Sequence, residues 1–515
     1  MASKRISIGR RWRDRIVIPW YRHPSTTGVL LATSMALCSV GLSISTVVEG
    51  IYDGPNTTRM AWCSGAYGLI SLVLFLTTET PTTMKRRSVF IATTGIWLSL
   101  PLIGMVPYLL TGTVTDPINA WFESTSGFTA TGSTILGGDM LLGVSKGMLF
   151  WRSITQWIGG IGVVALSLLV LPFLGSKGMD LLGVEAPGPI NERLAPRARE
   201  TVQIIVFVYM LLTGACAVLY VARGIPTFDA INHALTTVAT GGFSTRPTSL
   251  LEWSDDPVIV LGAPFFMFVS ACNLSLVWAI GRGHIRDVLR DGELRFFIYW
   301  TLTAVGLACV VNGLQLGWTT QVFTTTLFTV VSFITTGGLD VVDFSAWPPL
   351  STFILFIVQF PGGMTGSTAG GMKMMRMTVM ARYGLAEVSQ QTRPHEIISV
   401  RLSRTSPGIP DKIIKSVLGF MGMFMAIWVV SVGAMTAIGV SVETAMSATT
   451  SSLSNVGQAL GEVANGDFTV LPKPALIVAL VNMEIGRLEI LPVLMMFSAI
   501  RDSLMDASPF SSNMR

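Results

Sequence analysis

SGFTATGST, Ser126 to Thr134, is small, polar and flexible, yet it follows one of the most apolar segments of the chain, Ser88 to Leu110. Backbone of this kind cannot pack as a regular helix against lipid. It is tolerated at membrane depth only where it is buried in protein or lines water. Related words return at VATGGFST (Val238 to Thr245), FITTGGLD (Phe333 to Asp340) and LSNVGQAL (Leu453 to Leu460). The fold depends on whether these four words are repeats of one device.

The surrounding chain is that of a multispan membrane protein. Half of its 515 residues are hydrophobic and only 13% are charged, with a mean hydropathy of +0.60. A soluble chain carries about twice that charge. Apolar runs of about 20 residues recur along the whole length. The formal charge of +5 is small and scattered, which gives no argument for nucleic acid. Cys38, Cys63, Cys216, Cys272 and Cys309 all fall in or at the ends of apolar segments and read as buried thiols. His23, His233, His284 and His395 do not cluster, and no nucleophile–base or metal-ligand grouping points to an intramembrane enzyme. The first apolar run, Gly28 to Ile51, follows the basic RRWRDR stretch and reads as a retained helix.

Two apolar segments, Gly28 to Ile51 and Ala61 to Leu76, precede a repeating unit of span, short Thr/Ser-rich segment with a Gly word, and span. The units run through Ser88–Leu110, Pro117–Thr134 and Met148–Gly175; then Thr201–Ala222, Phe228–Thr245 and Val258–Ile280. The third and fourth run through Phe296–Leu314, Gln321–Gly338 and Phe353–Tyr383, and through Ile413–Ile438, Val442–Gly457 and Ala475–Ile500. The Gly words stand roughly a hundred residues apart, as in a duplicated membrane module. The short segments are too short to span and suit re-entrant half-helices. Asp116 and Pro117 supply an N-cap and a first-turn proline for the first of them. The expected fold is therefore an all-α polytopic membrane protein with ten full spans and four pore half-helices in pseudo-fourfold arrangement. Its parts are an N-terminal segment with a two-helix extension (1–84) and pore repeats at 85–197, 198–294, 295–395 and 396–515.

Positive charge supports a cytoplasmic N-terminus and C-terminus. The expected inner loops hold Lys85 to Arg87, Lys177 with Arg193, Arg197 and Arg199, Arg282 to Arg295 and the basic residues from Lys373 to Lys415. Arg59, Lys146, Arg223, Arg246 and Lys473 fall on the expected outer side as exceptions.

Four loops around one axis would turn carbonyl oxygens inward and replace the hydration shell of a cation. The half-helices would aim the partial negative charge of their C-terminal ends at the same centre. The expected ligands are the carbonyls of Thr131, Gly132, Thr240, Gly241, Thr336, Gly337, Asn455, Val456 and Gly457, with weaker contributions from Ala130, Ala239 and Thr335. The glycines aligned across the loops are Gly132, Gly241, Gly337 and Gly457. The competing reading of any one word is close helix packing.

With RSITQWIGGIGVV (Arg152 to Val164), GGMTGSTAGGMK (Gly362 to Lys373) and GRLEI (Gly486 to Ile490), these words resemble the TrkH-type subunits of the Trk/Ktr/HKT superfamily of potassium transporters. The resemblance covers nearly the whole chain. It implies four membrane–pore–membrane repeats with an extra N-terminal helix pair, and a homodimer with a pore in each protomer. It also implies a partner, a cytoplasmic TrkA-type nucleotide-binding regulatory subunit, and a location in the bacterial inner membrane. K⁺ is the implied transported ion, with Rb⁺ also permeant. No nucleotide site is present in the chain itself, so NAD or ATP would act through that subunit. The sequence departs from the family pattern at Ala130, Ser133, Gln458 and Met364. The retained filter glycines resemble those of potassium-permeable members.

Phe353 to Tyr383 would be one long span, but Gly362, Gly363, Thr365, Gly366, Ser367, Thr368, Gly370 and Gly371 break it. Below a filter such a segment obstructs the pore and reads as a gate; a packing kink is the alternative. The GxxxxGKS/T phosphate-loop spacing is absent. Arg487 lies within an apolar span and needs water or a partner. Glu484 is placed to pair with it along one helix face; the other reading puts the guanidinium at the pore, repelling cations when the gate is closed. Arg152 reads as a structural anchor near Trp151 and Trp157. Glu123, Asp340 and Asp343 are candidates for an acidic outer mouth, with a structural carboxylate behind the filter as the equal alternative for Glu123. Residues 176–200 and 384–410 are read either as contacts for a soluble regulator or as solvated basic loops. A carrier coupling K⁺ to Na⁺ or H⁺, or a Na⁺-permeable member of the superfamily, stands as the alternative function.

Overall fold

The computed structural model describes residues 23–79, 86–170, 194–393, 399–402 and 408–490. Apart from two two-residue strands, His23–Pro24 and Thr78–Glu79, paired in parallel, the regular structure is helical. An N-terminal hairpin of α1 (Thr26–Ile51) and α2 (Thr57–Thr77) packs on the first repeat. Glu49 fastens it there: the buried carboxylate accepts the amides of Gly147 at 2.6 Å and Asn56 at 3.1 Å.

The stretch read as the first repeat folds as α3 (Arg86–Gly104), α4 (Val106–Thr111), α5 (Pro117–Phe128), α6 (Asp139–Leu142) and α7 (Lys146–Val170). The second comprises α8 (Leu194–Ala222), α9 (Thr227–Ala239), α10 (Pro257–Ser270) and α11 (Leu274–Gly281), with a short α12 (Ile285–Val288) after it. The third comprises α13 (Gly292–Leu316), α14 (Thr320–Ile334), α15 (Pro349–Val358) and α16 (Met374–Thr392). The fourth comprises α17 (Asp411–Ala437), α18 (Val442–Leu453) and α19 (Lys473–Arg487).

The short helices α5, α9, α14 and α18 have 12, 13, 15 and 12 residues. At 1.5 Å per residue they fall short of the roughly 30 Å hydrocarbon core. The sequence signal at the first is realised: Asp116 accepts the amides of Ile118 and Asn119, and Pro117 opens the helix. All four are buried on most sides, whereas the long helices expose apolar side chains such as Phe207, Leu211, Val218, Leu302, Leu307, Val429 and Val430. The polar short helices sit inside and the apolar long helices outside, as lipid requires of a multispan protein. The five cysteines are buried and free, as read.

Not all of the ten expected spans are continuous long apolar helices among the described residues. Among the described residues six helices are long and apolar enough to cross a membrane, or seven if a bent pair is one span. That pair is α10 and α11, which meet at 108°. The sequence reading of Val258 to Ile280 as one continuous span is thus corrected: Asn273 starts a new helix by accepting the amide of Ser275. Hydropathy averages over such a break, because Ala271 and Cys272 are apolar themselves. The remaining expected spans correspond to α7, to α15 and α16 on either side of the non-helical residues 359–373, and to α19, whose continuation lies outside the described residues.

The basic residues that break the charge pattern all have local partners. Arg223 pairs with Asp256, Arg246 with Asp229 and Lys473 with Asp116. Arg59 donates to the Thr111 carbonyl, and Lys146 lies 4.4 Å over the Phe228 ring.

Candidate functional site: four helix caps above a broken segment

Each short helix ends in the same cap. The amides of Thr131, Gly241, Gly337 and Val456 donate to the carbonyls five residues back, Ser126, Thr236, Ser332 and Ser451, at 2.9, 2.9, 2.7 and 2.9 Å. The preceding residues, Ala130, Thr240, Thr336 and Asn455, are left-handed, with φ of +49°, +52°, +55° and +52°. Two positions further on, Gly132, Gly242, Gly338 and Gly457 have φ of +97°, +83°, +72° and +83°. The first two features are a Schellman cap. Glycine is the usual left-handed residue there, and a side chain costs roughly 1–2 kcal/mol. All four words are therefore one backbone device, held by the surrounding packing.

This corrects the register read from sequence. Gly241 and Gly337 were aligned with Gly132 and Gly457, but the backbone places them level with Thr131 and Val456. The equivalents of Gly132 and Gly457 are Gly242 and Gly338. Loops two and three carry paired glycines, so letters alone permit two alignments; the hydrogen bond to the helix end selects one.

The four caps touch in sequence around a closed circuit. A Cβ on Gly132 would strike the Gly241 carbonyl, and one on Gly242 would lie 2.7 Å from Gly338 Cα. One on Gly338 would lie 3.0 Å from the Val456 oxygen, and one on Gly457 would strike the Thr131 carbonyl and lie 2.9 Å from Gly132 Cα. Only glycine permits this approach of main chain to main chain.

Side chains behind the caps fix the circuit. Arg152 and Gln156 lie on one face of α7. Arg152 Nε donates to Glu123 at 2.7 Å, and its other nitrogens reach the Ser244 carbonyl and Thr134. Glu123 also accepts from Thr134 and the Ile135 amide. Gln156 donates to the Gly241 carbonyl at 2.6 Å and accepts the Phe243 amide at 3.0 Å. Within RSITQWIGGIGVV, nothing in the local sequence marks Gln156 for this role. Gln458 donates to the Leu339 carbonyl at 2.9 Å and accepts from Ser332, so the fourth loop braces the third. Asn455 Nδ2 donates to Thr131 and to the Met483 carbonyl, both at 2.9 Å. His233, also unassigned from sequence, meets Ser244 at 2.9 Å.

Glu123, 0% exposed, is therefore the structural carboxylate of the two readings and not a mouth residue. Asp340 is likewise buried, bonded to Gln458, while Asp343 is exposed. The expected acidic mouth reduces to Asp343. Arg152 is an anchor as read, though through Glu123 and the loops and with its guanidinium 4.1 Å over Phe243.

Residues 359–373 lie against the caps without forming a helix. Gly362, Gly366 and Gly371 have φ of +66°, +77° and +78°. Thr368 Oγ1 approaches the Val238 carbonyl and Thr240, both in the second loop. The Gly370 amide donates to Thr336 Oγ1 of the third at 2.9 Å. Gly370 also packs on Ser454 and Asn455 of the fourth. Gly363, Thr365 and Ser367 complete the segment; Ser367 Oγ donates back to the Met364 carbonyl at 2.6 Å, and Lys373 Nζ to Ala369 at 2.6 Å.

Arg487 enters from α19. It donates to the Thr368 carbonyl at 2.9 Å and to the Gly159 carbonyl at 3.2 Å. Of the two readings of Arg487, the pairing with Glu484 along the helix does not form: Glu484 has an oxygen without a partner, and Arg487 bonds the Thr368 and Gly159 carbonyls. Three residues along a helix allow contact but do not require it, and two main-chain carbonyls compete for the guanidinium. Two residues on, Glu489 pairs with Arg376 at 2.5 Å, tying the end of repeat four to the helix that follows the broken segment. Residues 176–200 and 384–410, the candidate regulator contacts, lie partly outside the described residues.

The sequence model of the TrkH family, described as cation transport protein, matches residues 54–506. The chain belongs to this family, a family of transport proteins and not of enzymes. It is 37% identical over 424 residues to the Trk system potassium uptake protein TrkH of Halomonas elongata, covering 81% of this chain and 86% of that protein. It is 34% identical over 423 residues to the protein of the same name from Escherichia coli, with the same coverage. The crystal structure of the potassium transporter TrkH from Vibrio parahaemolyticus superposes with a TM-score of 0.81 at 28% identity, over 94% of this chain and 99% of that one.

Proposed function

We propose that this chain is the membrane subunit of a Trk-type potassium uptake system, a gated K⁺-selective pore that also passes Rb⁺. The observation that carries the reading is the closed circuit of four equivalent helix caps lying on a broken, Gly-rich segment. In this reading the four repeats stand in pseudo-fourfold order around one axis. The carbonyls around Thr131–Gly132, Thr240–Gly242, Thr336–Gly338 and Asn455–Gly457 take the place of ion hydration, and the four helix C-termini add negative potential. Residues 362–371 obstruct the path beneath. Arg487, bonded to Thr368, puts a positive charge there and discourages cation leakage. Both termini face the cytoplasm, and the chain sits in a bacterial inner membrane as a homodimer with a pore in each copy. A cytoplasmic TrkA-type subunit carries the nucleotide control.

Uptake of labelled Rb⁺ into liposomes holding the purified protein tests the reading, with K⁺ or Na⁺ as competitor. Strong competition by K⁺, loss of uptake in Gly132→Asp and raised basal uptake in Arg487→Ala are expected. Uptake unchanged in Gly132→Asp overturns the filter. Equal competition by Na⁺ moves the chain to the Na⁺-permeable class, and strict dependence on an imposed proton gradient replaces the pore by a carrier.

A further inference from the structure

The broken segment has no helix of its own, so its position is set by what its amides and carbonyls bond to. Three of those bonds run to the bend in repeat two. The Met364 amide donates to the Ala271 carbonyl at 2.8 Å, the Thr368 amide to Ser270 at 3.3 Å, and the Leu274 amide to Gly366 at 3.3 Å. The 108° break between α10 and α11 thus exposes main-chain groups that a continuous helix would have used internally, and the segment takes them up. Gly366 lies against Asn273, the N-cap of α11: an added Cβ would be 3.0 Å from its amide nitrogen.

A further bond goes to a carboxylate from another helix. The Thr365 amide donates to Glu293 Oε1 at 2.8 Å. Glu293 is 6% exposed and stands in the first turn of α13, where Asp291 already caps by accepting the Leu294 amide at 2.7 Å. The cap does not need Glu293. A buried carboxylate is costly unless its oxygens are bonded, and here one oxygen is aimed at the segment. Its place is fixed from behind, because neighbouring Gly292 packs directly on the Leu402 carbonyl with no room for a side chain. A small cavity lined by Asn273, Asp291, Glu293, Met364 and Met375 opens on this side of the segment. The opposite side is filled by the caps and by Arg487. Glu293 lines this space and holds the segment at its edge.

We propose that Glu293 is a positioning residue of the gate: together with the bend at Ser270–Leu274 it latches residues 363–368 beneath the caps. The inference rests on the gated-pore reading. Loss of the carboxylate frees the segment toward the cavity, and the pore conducts without any partner.

The test uses the purified full chain in liposomes with no other protein, comparing wild type, Glu293→Ala, Glu293→Gln and Arg487→Ala by Rb⁺ uptake. Amide exchange of the peptide spanning 362–371 is read in parallel. Glu293→Ala is expected to raise basal uptake about tenfold, as loss of a charge-assisted hydrogen bond allows, and to speed exchange in that peptide alone. Glu293→Gln keeps an acceptor oxygen and is expected to return both readings to within about twofold of wild type. Unchanged uptake and exchange in Glu293→Ala, while Arg487→Ala leaks, overturns the latch and leaves the pore. Faster exchange throughout the protein makes Glu293 a residue of the fold and overturns its role at the gate. No uptake from any protein, Arg487→Ala included, overturns the pore reading itself.

Discussion

At the residue scale, the two glycines of the second loop have different duties. Gly242 has φ of +83° and faces the Gly338 backbone at a distance no Cβ tolerates. Gly241 is pressed instead by the Gln156 side chain, which can yield only by giving up its bonds to the Gly241 carbonyl and the Phe243 amide. Gly242→Ala is therefore expected to reduce Rb⁺ uptake by at least about tenfold, since strain of roughly 1–2 kcal/mol falls directly on the circuit. Gly241→Ala, which displaces a side chain and leaves the main-chain contacts of the circuit in place, is expected to lose less uptake than Gly242→Ala. The reverse order in the same liposome assay would restore the alignment read from letters. The Glu123–Arg152 pair shows a related point. Both side chains are almost fully enclosed, and removing either would leave a buried charge at a cost of about 3–5 kcal/mol. That explains an arginine in the middle of a membrane protein without any call on transport.

At the element scale, the decisive feature is the break in the second span of repeat two. α10 and α11 are each apolar, and their sum passes for a single span by composition. Asn273 makes the difference by capping α11, and Asn273→Ala is expected to destabilise that short helix by about 1 kcal/mol. The measurement is amide exchange over 274–281, which should rise about fivefold while α10 stays protected. Equal exchange before and after the substitution would mean that the packing of the broken segment alone sets the bend. The short helices are held in a similar way: their sequences are rich in Thr and Ser, which bond the carbonyl four residues back, as Thr129 does to Thr125 and Thr335 to Val331. Polar helices of this length persist because the apolar spans enclose them.

At the scale of the whole molecule, the N-terminal hairpin buttresses repeat one and takes no part in the circuit of caps. α1 packs on α2, α3 and α7, and Glu49 joins the hairpin loop to the start of α7. Glu49→Ala leaves the buried Gly147 amide and the half-buried Asn56 amide without their acceptor, at about 1–3 kcal/mol for the first and less for the second. Its thermal midpoint in detergent is expected to fall by several degrees, while the ratio of K⁺ to Na⁺ competition stays at the wild-type value. A changed ratio would make the hairpin part of the selective path.

Much of this was legible in one dimension. Apolar runs, the Thr/Ser-rich short segments, Asp116 with Pro117, and the four Gly words determined a helical membrane protein with repeated half-helices, because hydrocarbon admits few other uses of such residues. The interruption at 362–371 and the need of Arg487 for a partner were also written there. Three things were settled only in space. The register of the loops depended on which carbonyl the cap amide reaches, and paired glycines hide that choice. The partner of Arg487 depended on a competition between Glu484 on its own helix and the carbonyls of Thr368 and Gly159 from distant repeats. The bend at Ala271–Asn273 depended on a segment nearly a hundred residues later taking up its freed main-chain groups. Local sequence carries hydrophobicity and propensity over a turn or two. Which of several satisfiable partners a buried polar group takes is decided by the packing of all four repeats together.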